Sequence, residues 1–132
     1  MTGQNVFNLS MAVLQENASA GEYNASTYLD SAPLLINLLL GMLHEADCKI
    51  KGKDEVFDEG AIPYVNSLRD PILLHESLVR VCLPLGLASL FISGDQPNLS
   101  AILWQRFMHE RNNAVMRYRR SKRHETRDVY FT

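Results

Sequence analysis

At 132 residues, 46% hydrophobic and 21% charged, the chain has the size and composition of one globular domain, able to bury about two-thirds of its unfolded surface in a single core. Its longest apolar-rich run, Leu34 to Leu43, is broken by Asn37 and Gly41 and falls far short of the roughly 20 residues a membrane span needs. The formal net charge of −2 conceals a split: residues 104–132 hold eight Lys/Arg against three acids, whereas residues 1–103 hold five against twelve.

The opening Met1-Thr2-Gly3-Gln4-Asn5 has no basic region and no small-residue cleavage site, so a secretory leader is not expected. Without an export signal, Cys48 and Cys82 are expected to be reduced, buried thiols on different helices. No internal repeat and no period-2 strand pattern is present. The first helix is predicted from Gly3 to Gln15, with Val6, Phe7, Met11 and Leu14 at three- and four-residue spacings and Thr2 as its N-cap. The polar stretch Asn17–Ser26 reads as a loop.

A second helix is predicted from Tyr28 to Cys48, with Pro33 limiting where it can start. Leucines, Ile36 and Met42 cover most of its circumference, leaving Asn37, Gly41, His44 and Cys48 as a narrow small or polar stripe. A helix of that kind is central to a bundle, or faces a core on one side and a subunit interface on the other. Lys49 to Asp70 reads as a long irregular connection carrying the acidic cluster Asp54, Glu55, Asp58 and Glu59. Ile72-Leu73-Leu74 reads as a short extended lead-in.

The third helix is predicted from His75 to Ser93, kinked near Val81 because Pro84 removes a hydrogen bond one turn back. Gly94 is expected to cap it, and Asp95 to cap the next helix with Pro97 in the first turn. The last helix is predicted from Gln96 to Arg120. Leu99, Ile102, Leu103, Phe107, Ala114, Val115 and Tyr118 form its buried stripe, with Trp104 and Met108 outside it as an exposed pair. The expected architecture is all-α: a four-helix bundle over residues 1–120, a long loop between helices two and three, and a basic C-terminal tail over 121–132.

Little in the chain reads as chemistry. His44 and Cys48 share a helical face, but a zinc site needs further ligands, and His75, His109 and His124 are scattered. The carboxylates at 54–59 lack the alternate spacing and closing Glu of a calcium loop, so they read as a solvated loop or an acidic docking surface. No phosphate loop or nucleophile with its base is found, so neither an enzyme nor a cofactor is expected. The basic end is open to three readings: a solvated terminus, a nucleic-acid contact, or a contact to an acidic protein surface, including another copy of the chain.

Three stretches carry a family resemblance. One is Val6-Phe7-Asn8-Leu9-Ser10-Met11-Ala12, followed by Gly21-Glu22-Tyr23-Asn24-Ala25-Ser26 and a leucine-rich helix. Another is Leu83-Pro84-Leu85-Gly86-Leu87-Ala88. The last is the Gly94-Asp95 break into a long helix with Trp104-Gln105-Arg106-Phe107 and a basic run. In this order they resemble the head–tail connector (head-completion or adaptor) proteins of long-tailed bacteriophages. The resemblance spans almost the whole chain as a pattern of helices and small motifs. It implies a structural virion protein, assembled in the host cytoplasm and monomeric until a portal protein templates a ring, typically of twelve subunits. Such a ring would extend the DNA channel without reading sequence and would receive a tail-side connector or stopper protein. On that expectation the contact to the portal or a neighbouring subunit is made by Arg117, Arg119, Arg120, Lys122, Arg123, Arg127, Tyr130 and Phe131. A second subunit contact would use Trp104, Met108, Asp54, Glu55, Asp58 and Glu59. The alternative is a DNA-binding or regulatory helical module that uses the basic segment.

Overall fold

Helical periodicity dominates the sequence, and the chain is all-α: among the described residues there is no strand, only an isolated bridge between Thr2 and Pro71. The computed structural model describes the backbone of residues 1–17, 25–51 and 62–131, and their side chains as far as Tyr118, Asn17 excepted. Its helices are α1 (Gly3–Asn17), α2 (Ala25–Leu29), α3 (Ala32–Ile50), α4 (Leu83–Ile92) and α5 (Pro97–Phe131), with a π-helical turn at Leu78–Cys82 leading into α4.

Each departure from the expected elements has a local cause. The predicted second helix is two helices, because Pro33 falls within the first two positions of α3. Its ring has no N–H and would clash with the carbonyl of residue 29 in a continuous helix. The chain therefore breaks at Asp30–Ser31, where the Ser31 carbonyl accepts from Leu35 N–H at 3.1 Å and starts α3 afresh. The kink expected near Val81 is a π turn. Pro84 cannot donate to the carbonyl of Arg80, and the ladder widens by one residue so that Leu83 N–H reaches the carbonyl of Leu78. Gly94 does not adopt the left-handed cap conformation. Instead Gln96 N–H reaches back to Ile92 at 2.8 Å, and Gln96, not Asp95, offers the carbonyl that begins α5, accepting from Ser100 at 2.9 Å. Finally, α5 continues past Arg120 to Phe131. No Gly or Pro follows Pro97, so the sequence holds no breaker that would stop it.

Helix α4 is the centre. It packs against α1, α3 and α5, and every residue from Leu83 to Ser89 is buried. Gly86 is what allows the triple approach: a methyl group there would stand 3.0 Å from Leu39 Cδ2 and 3.0 Å from Phe107 Cδ2. Phe7 and Tyr28 bracket Phe91, edge-on at 5.9 Å and stacked at 4.7 Å. Fully buried Leu14, Ile36, Leu39, Leu43, Leu87 and Leu103 fill the rest, each worth about 1.5–3 kcal/mol of burial. Two buried serines lock α4 to α5 reciprocally: Ser89 Oγ donates to the Ser100 carbonyl and Ser100 Oγ to the Ser89 carbonyl, both at 2.8 Å.

Residues 62–75 are irregular yet tightly held. Asn37 forms a two-bond clamp on Val65, donating from Nδ2 to its carbonyl at 2.8 Å and accepting its N–H at 2.7 Å. Asp47 Oδ1 accepts the N–H of His75 at 2.7 Å, and its other oxygen meets Lys51 at 3.0 Å. At the far end, the Leu68 and Asp70 carbonyls accept the first-turn N–H groups of Gln4 and Gly3 at 2.8 and 3.2 Å. These are donors that a helix cannot satisfy internally. Thr2 Oγ1 takes the next one, from Asn5, at 3.4 Å, as its position predicts. Ile72 and Leu74 point inward and Leu73 outward, the alternation of an extended lead-in.

Candidate assembly surfaces

The basic helix comes first in the sequence argument. Arg117 is exposed, with Nη2 3.9 Å from Glu110 Oε2, a loose surface pair of small worth. The helical backbone continues thirteen residues beyond Tyr118, about 20 Å at 1.5 Å per residue. The side chains of Arg119, Arg120, Lys122, Arg123, Arg127, Tyr130 and Phe131 lie outside the described residues, and so do Asp54, Glu55, Asp58 and Glu59.

Trp104 and Met108 are not an exposed pair. Both are half-buried against the core, with the Trp104 ring 4.8 Å from that of Phe107 and Met108 Sδ 4.0 Å from Arg111 Nη1. The position expected to be buried, Ile102, is 55% exposed. Leu99, Leu103, Phe107 and Ala114 already define the inward line of α5, and Ile102 lies about 100° around the helix from Leu103.

Two apolar surfaces are present whose residues the sequence did not single out, although it allowed α3 a face for a subunit interface. On α3 the inner face is fully buried, but Leu34, Leu38 and Met42 are 73%, 55% and 38% exposed. They recur every four residues and form one outward stripe. Gly41 lies beside them, and a methyl group built on it would meet none of the described residues within 4 Å. The other surface is a groove between α1 and α5 over the π turn. Its main part, about 680 Å³, is lined by residues that include Leu9, Val13, Val81, Pro84, Leu85 and Arg106. An adjoining part of about 530 Å³ adds Ile102, Gln105, His109 and Glu110 to Val81, Leu85 and Arg106. No α3 residue lines either part. The only sequence trace of this groove is the four-residue spacing of Leu9 with Val13 and of Val81 with Leu85, which a buried face would show equally well.

Both cysteines are buried and free. Burial and the nearby Glu110 carboxylate push the Cys82 thiol up to about 12, against the opposing pull of Arg111 and Arg117; at neutral pH it is an unreactive core group. Cys48 Sγ stands 3.7 Å from His44 Nε2 on the same helix. Among the described residues, no three His, Cys, Asp or Glu side chains come together as a metal site. Also among them, no helix is long and apolar enough to cross a membrane.

In comparisons with known proteins, no protein-family model, no curated protein and no solved structure matches the chain.

Proposed function

We propose that this protein is a non-enzymatic structural subunit of a phage particle, a head–tail connector that forms a ring beneath the portal and joins capsid to tail. On this reading α1, α3, α4 and α5 are the helices of a four-helix bundle over residues 1–120. Residues 121–132 act as a basic arm directed to the portal or to a neighbouring subunit. The ring would bind a tail-side connector or stopper and let DNA pass without reading its sequence.

The observation that carries the reading is α5. From Arg117 onward its sequence holds six basic residues against two acidic ones, on a helix that runs on to Phe131. A long, charged helix extending beyond the last described core contact is suited to reach another subunit. The acidic remainder of the chain supplies the opposite charge that a head-to-tail ring contact needs. Cations near a helix C-terminus also stabilise the helix dipole by up to about 1 kcal/mol each, which is the purely local explanation for their placement.

Reversing Arg117, Arg119 and Arg120 to Glu separates the possibilities. The connector reading expects a folded, modestly destabilised protein that no longer assembles onto portal-bearing heads. Removal of residues 122–132 should do the same. A DNA-binding module would instead show tight, salt-dependent binding of duplex DNA by the unaltered protein, lost on reversal. That binding, combined with normal assembly of the variant, would overturn the connector reading.

A further inference from the structure

We infer that the groove between α1 and α5 is the seat for the outward stripe of α3 from a second copy of this chain. The proposal rests on the ring reading above and names the contact that would build the ring.

Three helices surround α4, but they do not close around it. α1, α3 and α5 all pack on it, while the side between α1 and α5 stays open over Val81, Pro84 and Leu85. The groove has apolar residues on both walls, Leu9 and Val13 on one side and Ile102 on the other. An amphipathic helix docks in such a groove through anchors at four-residue spacing. α3 offers that pattern in Leu34, Leu38 and Met42, all exposed.

Gly41 is a second, independent observation. Glycine inside a helix costs roughly 0.5–1 kcal/mol relative to alanine. Gly86 has an internal reason for being glycine, the close approach of Leu39 and Phe107; Gly41 shows none among the described residues, where nothing comes within 4 Å of an added methyl group. A partner backbone approaching the stripe closely would supply the reason.

The charges agree as well. Arg106 lines both parts of the groove and makes no ion pair among the described residues. Glu45, one turn beyond Gly41 on the stripe, is exposed and among the described residues pairs with Lys49, at 3.1 Å. Acids line the groove too, Glu16 on the α1 wall and Glu110, paired with Arg117, in the adjoining part. The proposed seating therefore has Glu45 on the Arg106 side, away from Glu16. Because α3 lines no part of the groove, a subunit cannot fill its own. The contact joins two different patches, the head-to-tail kind that builds a ring when its rotation closes.

The test places cysteines on both sides of the contact, in the full chain, assembled at high concentration or on portal rings and then oxidised with copper phenanthroline. Leu38→Cys with Ile102→Cys in one chain should give a ladder of linked multimers, because every subunit then carries both halves of the contact. Either substitution alone should stay monomeric on a denaturing gel. Both sites are more than half exposed, so unchanged circular dichroism and melting temperature are expected of each variant. Efficient dimers from Leu38→Cys alone would show that the stripe packs on itself and would overturn the inference. Rings seen by electron microscopy but giving no ladder would overturn it while leaving the connector reading intact. Absence of any ring, with or without portal, would sink both.

Discussion

The two faces of α3 are built from the same residue types and do opposite things. Leu39 is 0% exposed and its neighbour Leu38 is 55% exposed, although nothing in their chemistry distinguishes them. The inner face is held in place by what surrounds it: α4 and α5 pack on α3, whose Leu39, Leu40 and Leu43 are fully buried, and the Asn37 and Asp47 clamps fasten residues 62–75 along its flank. The outer face has no such cover among the described residues. Hydrophobicity therefore marks both the core and the surface left for a partner, and only packing tells them apart.

Substituting the same charge on either face should produce the largest contrast. Leu39→Glu places an unpaired carboxylate where no water reaches, at a cost of several kcal/mol, and should leave the protein unfolded or aggregated. Leu38→Glu should change stability by no more than about 0.5 kcal/mol. Thermal melts followed by circular dichroism compare the two. Equal melting temperatures would mean that the two faces do not differ as described.

The intolerance of charge on the inner side extends to Cys82 on the π turn. Its titration is raised from 9.0 to about 12 in the folded chain, so between those values the folded protein holds a proton that the unfolded chain releases. Stability from this group is fully present below pH 9 and falls as pH rises through that window. Cys82→Ala should flatten the alkaline decline in melting temperature relative to the unaltered protein. An identical decline in both proteins would show that other groups carry it. At pH 8 the folded protein should show slow alkylation of Cys82, and full reactivity should return on unfolding.

These contrasts explain how much could be read before the fold was known. The helices were legible because Val6, Phe7, Met11 and Leu14, or Leu99, Leu103 and Phe107, leave a one-sided pattern. α3 was not legible in the same way: with apolar residues nearly all round, its period cannot say which side is covered. The break at Asp30–Ser31 was hidden because Pro33 fits the first turn of either one long helix or a second short one. Asn37 and Asp47 bind backbone groups 28 residues away, and no side-chain pattern announces such partners. Of the candidate surfaces, the basic run was plain from charge alone. The groove exists only once α1, α4 and α5 are packed, and so the exposure of Ile102 was misread.

The glycines refine the comparison at smaller magnitude. Gly86→Ala would push a methyl group against Leu39 and Phe107, both fully buried and with nowhere to retreat. Overpacking costs about 1–3 kcal/mol and outweighs the roughly 1 kcal/mol that alanine adds to a helix. The net expectation is a loss, seen as a lower urea midpoint with an unchanged slope. A higher midpoint would mean that the three-helix crossing is looser than these distances imply.

Gly41→Ala should give a small effect of the opposite sign. Among the described residues nothing meets the added methyl group, which leaves the backbone term. Alanine should stabilise α3 by about 0.5–1 kcal/mol. For a chain of this length that is a rise of roughly 2–4 °C in melting temperature. The same methyl group stands on the surface that the stripe presents to its partner. If that partner's backbone approaches closely, the stabilised subunit should assemble less well than the unaltered one, although it folds better. Sedimentation of the variant under assembly conditions, set beside its melt, separates the two effects. A more stable subunit that assembles normally would mean that the partner keeps its distance from Gly41, and the glycine would then have no role in the contact. A less stable subunit would place a neighbour against Gly41 within the fold itself, and the outer face of α3 would no longer count as open.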